Sequence, residues 1–200
     1  MTKTRLILFL ILFLGGCAAQ RIVTDADKLR DWEFHQAKLA ELEQWTLKGR
    51  IAIQLEKEGW TATLYWRQQQ ESYSLRLIAP LGRGTYELSG NGRTVTLRTA
   101  DNRLLYADNA EMLLQQNLGW QIPVSGLVYW IRGLPEPGIG TDAILLDKDG
   151  RASDISQAGW QVKYTNYMRS QGYDLPEKLT MRHEKLKIRL IIQDWKVTLL

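Results

Sequence analysis

The sequence predicts an α+β domain built on one strongly curved antiparallel sheet of about 11 strands. Three observations carry that expectation. From Trp45 onward, apolar and polar residues alternate with a period of two over most of the chain. Short turn-forming pairs such as Asn91-Gly92 and Asp101-Asn102 separate the alternating runs, so successive strands pair as hairpins. Helical spacing is confined to three segments, too few to cover both faces of so large a sheet.

The amino terminus is an export signal. Lys3 and Arg5 precede an apolar run from Leu6 to Leu14, and small residues lead into Cys17. A bilayer core needs about 20 apolar residues in a helix, so the run reads as a cleaved signal over residues 1–16 rather than an anchor. Leu14-Gly15-Gly16-Cys17 resembles the bacterial lipobox, which implies that Cys17, the only cysteine, carries a diacylglycerol on its sulfur and an acyl group on its amine. Covalent chains contribute about 0.8 kcal/mol per buried methylene, so a three-chain anchor holds firmly. Ala18 and Ala19 follow, without the aspartate that retains such proteins at the inner membrane in enteric-type sorting. That pattern implies an outer-membrane protein facing the periplasm. Residues 17–24 form the acylated tether, and residues 25–200 a single domain.

Asp25 caps a predicted helix running to about Gln44, with Leu29, Trp32, Leu39 and Leu42 as its apolar stripe. Leu47, Gly49, Ile51, Ile53 and Leu55 then alternate with charged or small residues, and Glu58-Gly59 is the predicted turn. Ala62, Leu64 and Trp66, then Tyr73, Leu75 and Leu77, give the next two strands. Thr85–Ser89, Thr94–Thr99 and Leu104–Ala107 continue the meander. Asp108 is the expected cap of a short helix ending near Gly119. A second helix runs from Val124 to Arg132 between Pro123 and Gly133. Ala143–Leu146, Trp160–Tyr167, Lys178–His183, Leu186–Ile192 and Lys196–Leu199 complete the strands.

Composition removes several function classes. Loss of Lys3 and Arg5 with the signal lowers the formal net charge of +4 by two, and the remaining basic residues are scattered among acids, which argues against nucleic acid as a partner. His35 and His183 are the two histidines, and neither belongs to a catalytic or metal-ligand spacing. No serine sits in a nucleophile elbow, and Gly82-Arg83-Gly84 is too short for a phosphate loop. Neither an enzyme nor a cofactor is expected. Eight tryptophans and eight tyrosines suit either a large core or a surface that binds amphiphiles.

One connection stands out. Ile78-Ala79-Pro80-Leu81-Gly82-Arg83-Gly84 joins two strands through residues that force an irregular loop, leaving Leu81 at its tip without a periodic partner. Leu81 either enters acyl chains, with Arg83 near phosphates, or folds back onto the core.

A second stretch reads Gly119-Trp120-Gln121-Ile122-Pro123-Val124-Ser125-Gly126-Leu127, then Trp130-Ile131-Arg132-Gly133-Leu134-Pro135. Together with Cys17, Ala79-Pro80-Leu81-Gly82, Trp160-Gln161-Val162-Lys163-Tyr164 and Lys187-Ile188-Arg189-Leu190 before Trp195, it resembles the LolB family in order across almost the whole mature chain. The resemblance implies an unclosed β-barrel with helices as plug and lid, and a hydrophobic cavity for acyl chains. It implies a monomer that accepts cargo lipoproteins from the periplasmic carrier LolA and passes them to outer-membrane lipids, with Pro80, Leu81, Gly82 and Arg83 as the membrane-contact loop. The sequence departs from the family at Arg83-Gly84, where a more polar Ser/Thr continuation is usual.

The inward strand faces and the second short helix are the expected cavity wall: Ile51, Ile53, Leu64, Trp66, Leu75, Leu77, Leu127, Trp130, Ile131, Trp160, Val162, Ile188 and Leu190. The same stripes serve equally as plain core. A scaffold lipoprotein with a filled core, or a lipocalin-like carrier of a small amphiphile, is the alternative. Lys48, Arg50, Lys187 and Arg189 on outward faces are candidates for meeting a carrier of complementary charge.

Overall fold

The computed structural model describes residues 25–56 and 58–198. A helix α1 (Asp25–Ala40) leads into strands β1 (Gln44–Leu55), β2 (Glu58–Gln69), β3 (Ser72–Ile78), β4 (Thr85–Asn91), β5 (Val95–Arg98) and β6 (Leu104–Ala107). Two short helices follow, α2 (Ala110–Leu118) and α3 (Val124–Trp130). The chain then returns as β7 (Thr141–Leu146), β8 (Ala152–Gln157), β9 (Trp160–Ser170), β10 (Tyr173–His183) and β11 (Leu186–Val197). All the strands belong to one sheet in the order β6-β5-β4-β3-β2-β1-β11-β10-β9-β8-β7. Every pairing is antiparallel, and β6 and β7 remain as unjoined edges, so the barrel is not closed.

The first and last strands meet at the centre of the sheet. Ile51 lies opposite Leu190 and Ile53 opposite Ile188, so the inward stripes of β1 and β11 are continuous. Between Lys48 and Gly49 the register shifts: Lys48 faces Asp194 and Gly49 faces Ile192, leaving Gln193 as the extra residue of a β-bulge. Gly49 is required at that spot, because a Cβ there would stand 2.6 Å from the Ile191 carbonyl oxygen.

Helix α1 plugs one end of the half-barrel. Gly150, in the β7–β8 turn, packs against Asp31, and Lys38 Nζ donates to the Gly172 carbonyl in the β9–β10 turn at 2.7 Å. Trp32 and Leu39 enter the common core, whereas Leu29 is exposed. At the opposite end lie the β1–β2, β3–β4, β5–β6 and β10–β11 connections.

Several boundaries differ from the sequence-based expectation. Helix α1 ends at Ala40 rather than near Gln44, because Gln44 already pairs with Gln69 and the Leu42 N–H turns back to Leu39 O. Glu58-Gly59 begins β2 instead of turning the chain, since Leu55 already faces Glu58. The cap of α2 is Asn109, whose side chain accepts from Met112 N at 2.8 Å, and not Asp108. Strand β8 is additional to the sequence-based expectation, and the run expected at Leu186–Ile192 continues through Gln193-Asp194, by the bulge, to Val197 as one strand, β11; Leu199, the expected end of the last run, lies outside the described residues.

Gly49→Ala is expected to force β1 and β11 apart at the bulge. The cost is about 1–3 kcal/mol, a fall in melting temperature of about 3–10 °C for a domain of this size, read by circular dichroism.

Candidate functional site

The apolar stripes of β1 to β5 do not meet a solid partner. Ile51, Ile53, Leu64, Trp66, Leu75, Leu77, Leu88 and Leu97 form the sheet side of a cavity, joined from the far side by Met181 and Leu190. The lid side comes from α2, α3 and the link between them: Leu114, Leu118, Trp120, Ile122, Val124, Leu127 and Ile131. The cavity is narrow, with a volume of about 60 Å³, and the surface presented to it is entirely apolar.

The lid's shape follows from local chemistry. Helix α2 stops at Gly119, which takes the left-handed conformation (φ 70°), and the Trp120 N–H then reaches back to Leu114 O at 3.3 Å. The Gly119 N–H bonds to Gln115 O at 3.0 Å, the αL closure, and the turn brings Trp120 against Trp60 of the sheet. Pro123 precedes α3, and Leu127 and Ile131, four residues apart, fall on its cavity face.

Nine of the sequence-derived wall residues line this space: Ile51, Ile53, Leu64, Trp66, Leu75, Leu77, Leu127, Ile131 and Leu190. Trp130, Trp160, Val162 and Ile188 do not, because each is buried in the packed core beyond Met181 and Leu190. The Trp130 indole N–H donates to Gln157 Oε1 at 2.9 Å, its carbonyl accepts from the Tyr164 hydroxyl at 2.7 Å, and its ring lies against Trp160. Trp160 is stacked on His183. Val162 and Ile188 are fully enclosed. Reading from the sequence missed Tyr86, Leu88, Leu97 and Met181 on the sheet, and Leu114, Leu118, Trp120, Ile122 and Val124 on the lid. Leu114 and Leu118, four apart, were the available signal for the α2 face.

The loop Pro80–Arg83 projects at the end of the half-barrel opposite α1. It is a single 3₁₀ turn closed by Arg83 N–H to Pro80 O at 3.3 Å, with Ala79 N–H bonded to Gly84 O across its base. Leu81 is 93% exposed and sits in the left-handed region (φ 56°, ψ 36°). A branched residue pays for that conformation, of order 1 kcal/mol or more. The protein bears that strain while leaving a large apolar side chain in water. Leu77 and Tyr86, in the strands flanking the loop, line the cavity, so loop and cavity share one end of the molecule.

Residues 43–195 match the family described as Outer membrane lipoprotein LolB. An outer-membrane lipoprotein LolB from Nitrosococcus oceani is 42% identical over 98% of both chains, and one from Pseudomonas paraeruginosa is 38% identical over 96% of this chain and 97% of its own. The chain belongs to the LolB family. Among solved structures, a LolA superfamily protein from Nitrosomonas europaea superposes with a TM-score of 0.55 at 10% identity, covering 90% of this chain and 96% of its own, which is a likeness of fold. Like the LolB relatives it matches, the protein is an outer-membrane lipoprotein; Cys17 and the signal lie outside the described residues. No helix among the described residues is long and apolar enough to cross a membrane.

Within this LolB-family fold, Arg132 ties lid to plug. Its Nη1 donates to Leu39 O and Leu42 O at 3.0 and 2.8 Å, closing the C-terminal end of α1, and its Nε to Val128 O at 3.0 Å. Burial pulls the guanidinium down to about 10, still charged at neutral pH. The outward cations are placed separately. Lys187 lies opposite Arg182 on the neighbouring strand, with Arg189 two residues along, and the positive charge of Arg189 lowers its pKa. Lys48 reaches over the Tyr65 ring, and Arg50 is exposed on β1.

Arg132→Ala removes all three charge-assisted hydrogen bonds and strands buried carbonyls. The expected cost is about 3 kcal/mol, or about 6–12 °C in melting temperature, measured by calorimetry on the purified protein.

Proposed function

We propose that this LolB-family protein is a receptor in which the acyl chains of a cargo lipoprotein, delivered by a LolA-like carrier, lodge beneath the α2–α3 lid before the Leu81 loop leads them into the outer membrane. The single observation that carries the reading is the wholly apolar cavity left between the early strands and the lid. Exposing one acyl chain of a dozen methylenes to water costs about 10 kcal/mol at about 0.8 kcal/mol each. Cargo therefore moves between apolar sites in contact, never free in the periplasm. Each step needs only that the next site hold the chains better than the last. Nothing in that sequence calls for a nucleotide, a metal or a covalent step.

Membership of a lipoprotein-localising family and a fold shared with the LolA superfamily support a partner of similar build. The basic residues Lys48, Arg50, Lys187 and Arg189 offer it a surface for a complementary, acidic rim, and the protein acts as a monomer. Leu81, with Pro80 and Gly82 shaping the turn and Arg83 beside it, enters the inner surface of the outer membrane, the leucine among acyl chains and the arginine at phosphates. Cys17 supplies the anchor.

The test is transfer of a radiolabelled lipoprotein from purified carrier to this protein and on to outer-membrane vesicles. Uptake from the carrier is expected with the wild-type chain, and its absence would end the receptor reading. Leu81→Glu is expected to take up cargo normally but release it to vesicles at least about tenfold more slowly, since an acidic side chain costs about 3 kcal/mol in a bilayer interior.

A further inference from the structure

The apolar cavity adjoins a second space. This second space, of about 370 Å³, shares Ile53, Tyr86, Leu118 and Trp120 with the cavity and adds Glu58, Trp60 and Asn117. Three aromatic rings meet there. Trp60 and Trp120 stand 4.9 Å apart between centroids at 58°, and Trp60 meets Tyr86 edge-on at 6.3 Å. All three are half-buried, and the space they border presents polar and apolar surface alike, in contrast to the inner cavity.

This is the surface an amphiphile needs where its chains end. Tryptophan and tyrosine combine an apolar body with a donor at the tip, and they collect where hydrocarbon gives way to water. An ester or amide drawn in behind its chains costs free energy unless it is hydrogen-bonded. The mouth has groups of both kinds. The indole N–H of Trp60 and of Trp120 and the Tyr86 hydroxyl are donors. Asn117 commits its Nδ2 to Leu113 O at 3.0 Å, which leaves Oδ1 as an acceptor, and the Glu58 carboxylate is another.

We propose that this mouth binds the polar junction of an acylated amino-terminal cysteine. The aromatic donors meet the ester and amide carbonyls, and Glu58 and Asn117 accept from the first peptide N–H groups of the cargo. The proposal rests on the reading that acyl chains occupy the inner cavity. It adds what is recognised at the threshold: two or three chains joined to a peptide, rather than a chain alone. The Trp60–Trp120 contact also links sheet to lid, so incoming chains part these two rings and the junction comes to rest between them.

The test uses the full-length, membrane-anchored protein in cells, carrying the photoreactive residue p-benzoylphenylalanine at position 117 in the mouth or at position 51 in the inner wall. An epitope-tagged lipoprotein is the cargo. After illumination, position 117 is expected to join the first few residues following the cargo's acylated cysteine, and position 51 its acyl chains. Replacing both tryptophans (Trp60→Ala with Trp120→Ala) should cut the position-117 adduct about fivefold. The phenylalanine pair (Trp60→Phe with Trp120→Phe) keeps the rings and loses both N–H donors, and should cut it about twofold. Wild-type adduct yield in either pair overturns the proposal. So does a position-117 adduct that is missing, or that falls on the cargo's folded domain, while position 51 still labels acyl chains; the cavity reading then stands alone. No acyl adduct at position 51 overturns both.

Discussion

A sheet of 11 strands that bends far enough to form most of a barrel encloses a hollow that three helices cover without filling. Each inward position alternates with an outward polar one, so its apolar lining cannot be reduced without breaking the pattern that makes the strands. The protein meets this constraint unevenly. It fills one half of the hollow and leaves the other half covered but not filled.

The filled half is held by polar groups with definite partners. Gln157 is buried, and its side-chain oxygen accepts from the Trp130 indole and the Glu136 N–H while its amide donates to Glu136 O, Ile139 O and Thr141 Oγ1. That one side chain fixes the segment between α3 and β7. Arg132 does the same between α3 and α1. Buried hydrogen bonds of this kind specify geometry because an unmade one is so costly. The lid over the other half has no such pins on its cavity side, where its contacts are apolar and aromatic. The C-terminal end of α3 is therefore fixed by buried polar groups, while α2 is joined to the start of α3 by the exposed Ser125 N–H to Glu111 Oε1 bond and meets the cavity through apolar contacts.

That division explains what the sequence disclosed. Period-two runs located β1 to β5 and β9 to β11, and they marked the inward side correctly. They could not reveal whether an inward residue faces space or another side chain. Val162 and Leu64 are both inward and both buried, yet only Leu64 lines the cavity. Strand β8 was hidden because its inward positions are Ala152, Ile155 and Gln157, small or polar in two cases of three. Gln157 is the residue that organises the filled half, and its polarity is what concealed it. The Leu81 loop was legible as irregular, but its outward direction was not, since that depends on a left-handed backbone at a leucine.

In the function proposed above, tethering at Cys17 would make a strained and exposed leucine sufficient for membrane contact. The proposed anchor, Cys17, stands eight positions before Asp25, where α1 begins, and eight peptide units span no more than about 28 Å at full extension. The domain therefore stays within about its own diameter of the bilayer, and the loop meets lipid at high effective concentration. One leucine contributes only about 0.5 kcal/mol on insertion, far too little to hold a soluble protein at a membrane. On a tethered one it is enough to bias orientation, bringing the mouth by Trp60 and Tyr86 toward the surface that receives the chains. A stronger contact would hold that mouth against lipid and away from the next carrier. The weakness of a single side chain therefore suits a receptor that must meet both in turn.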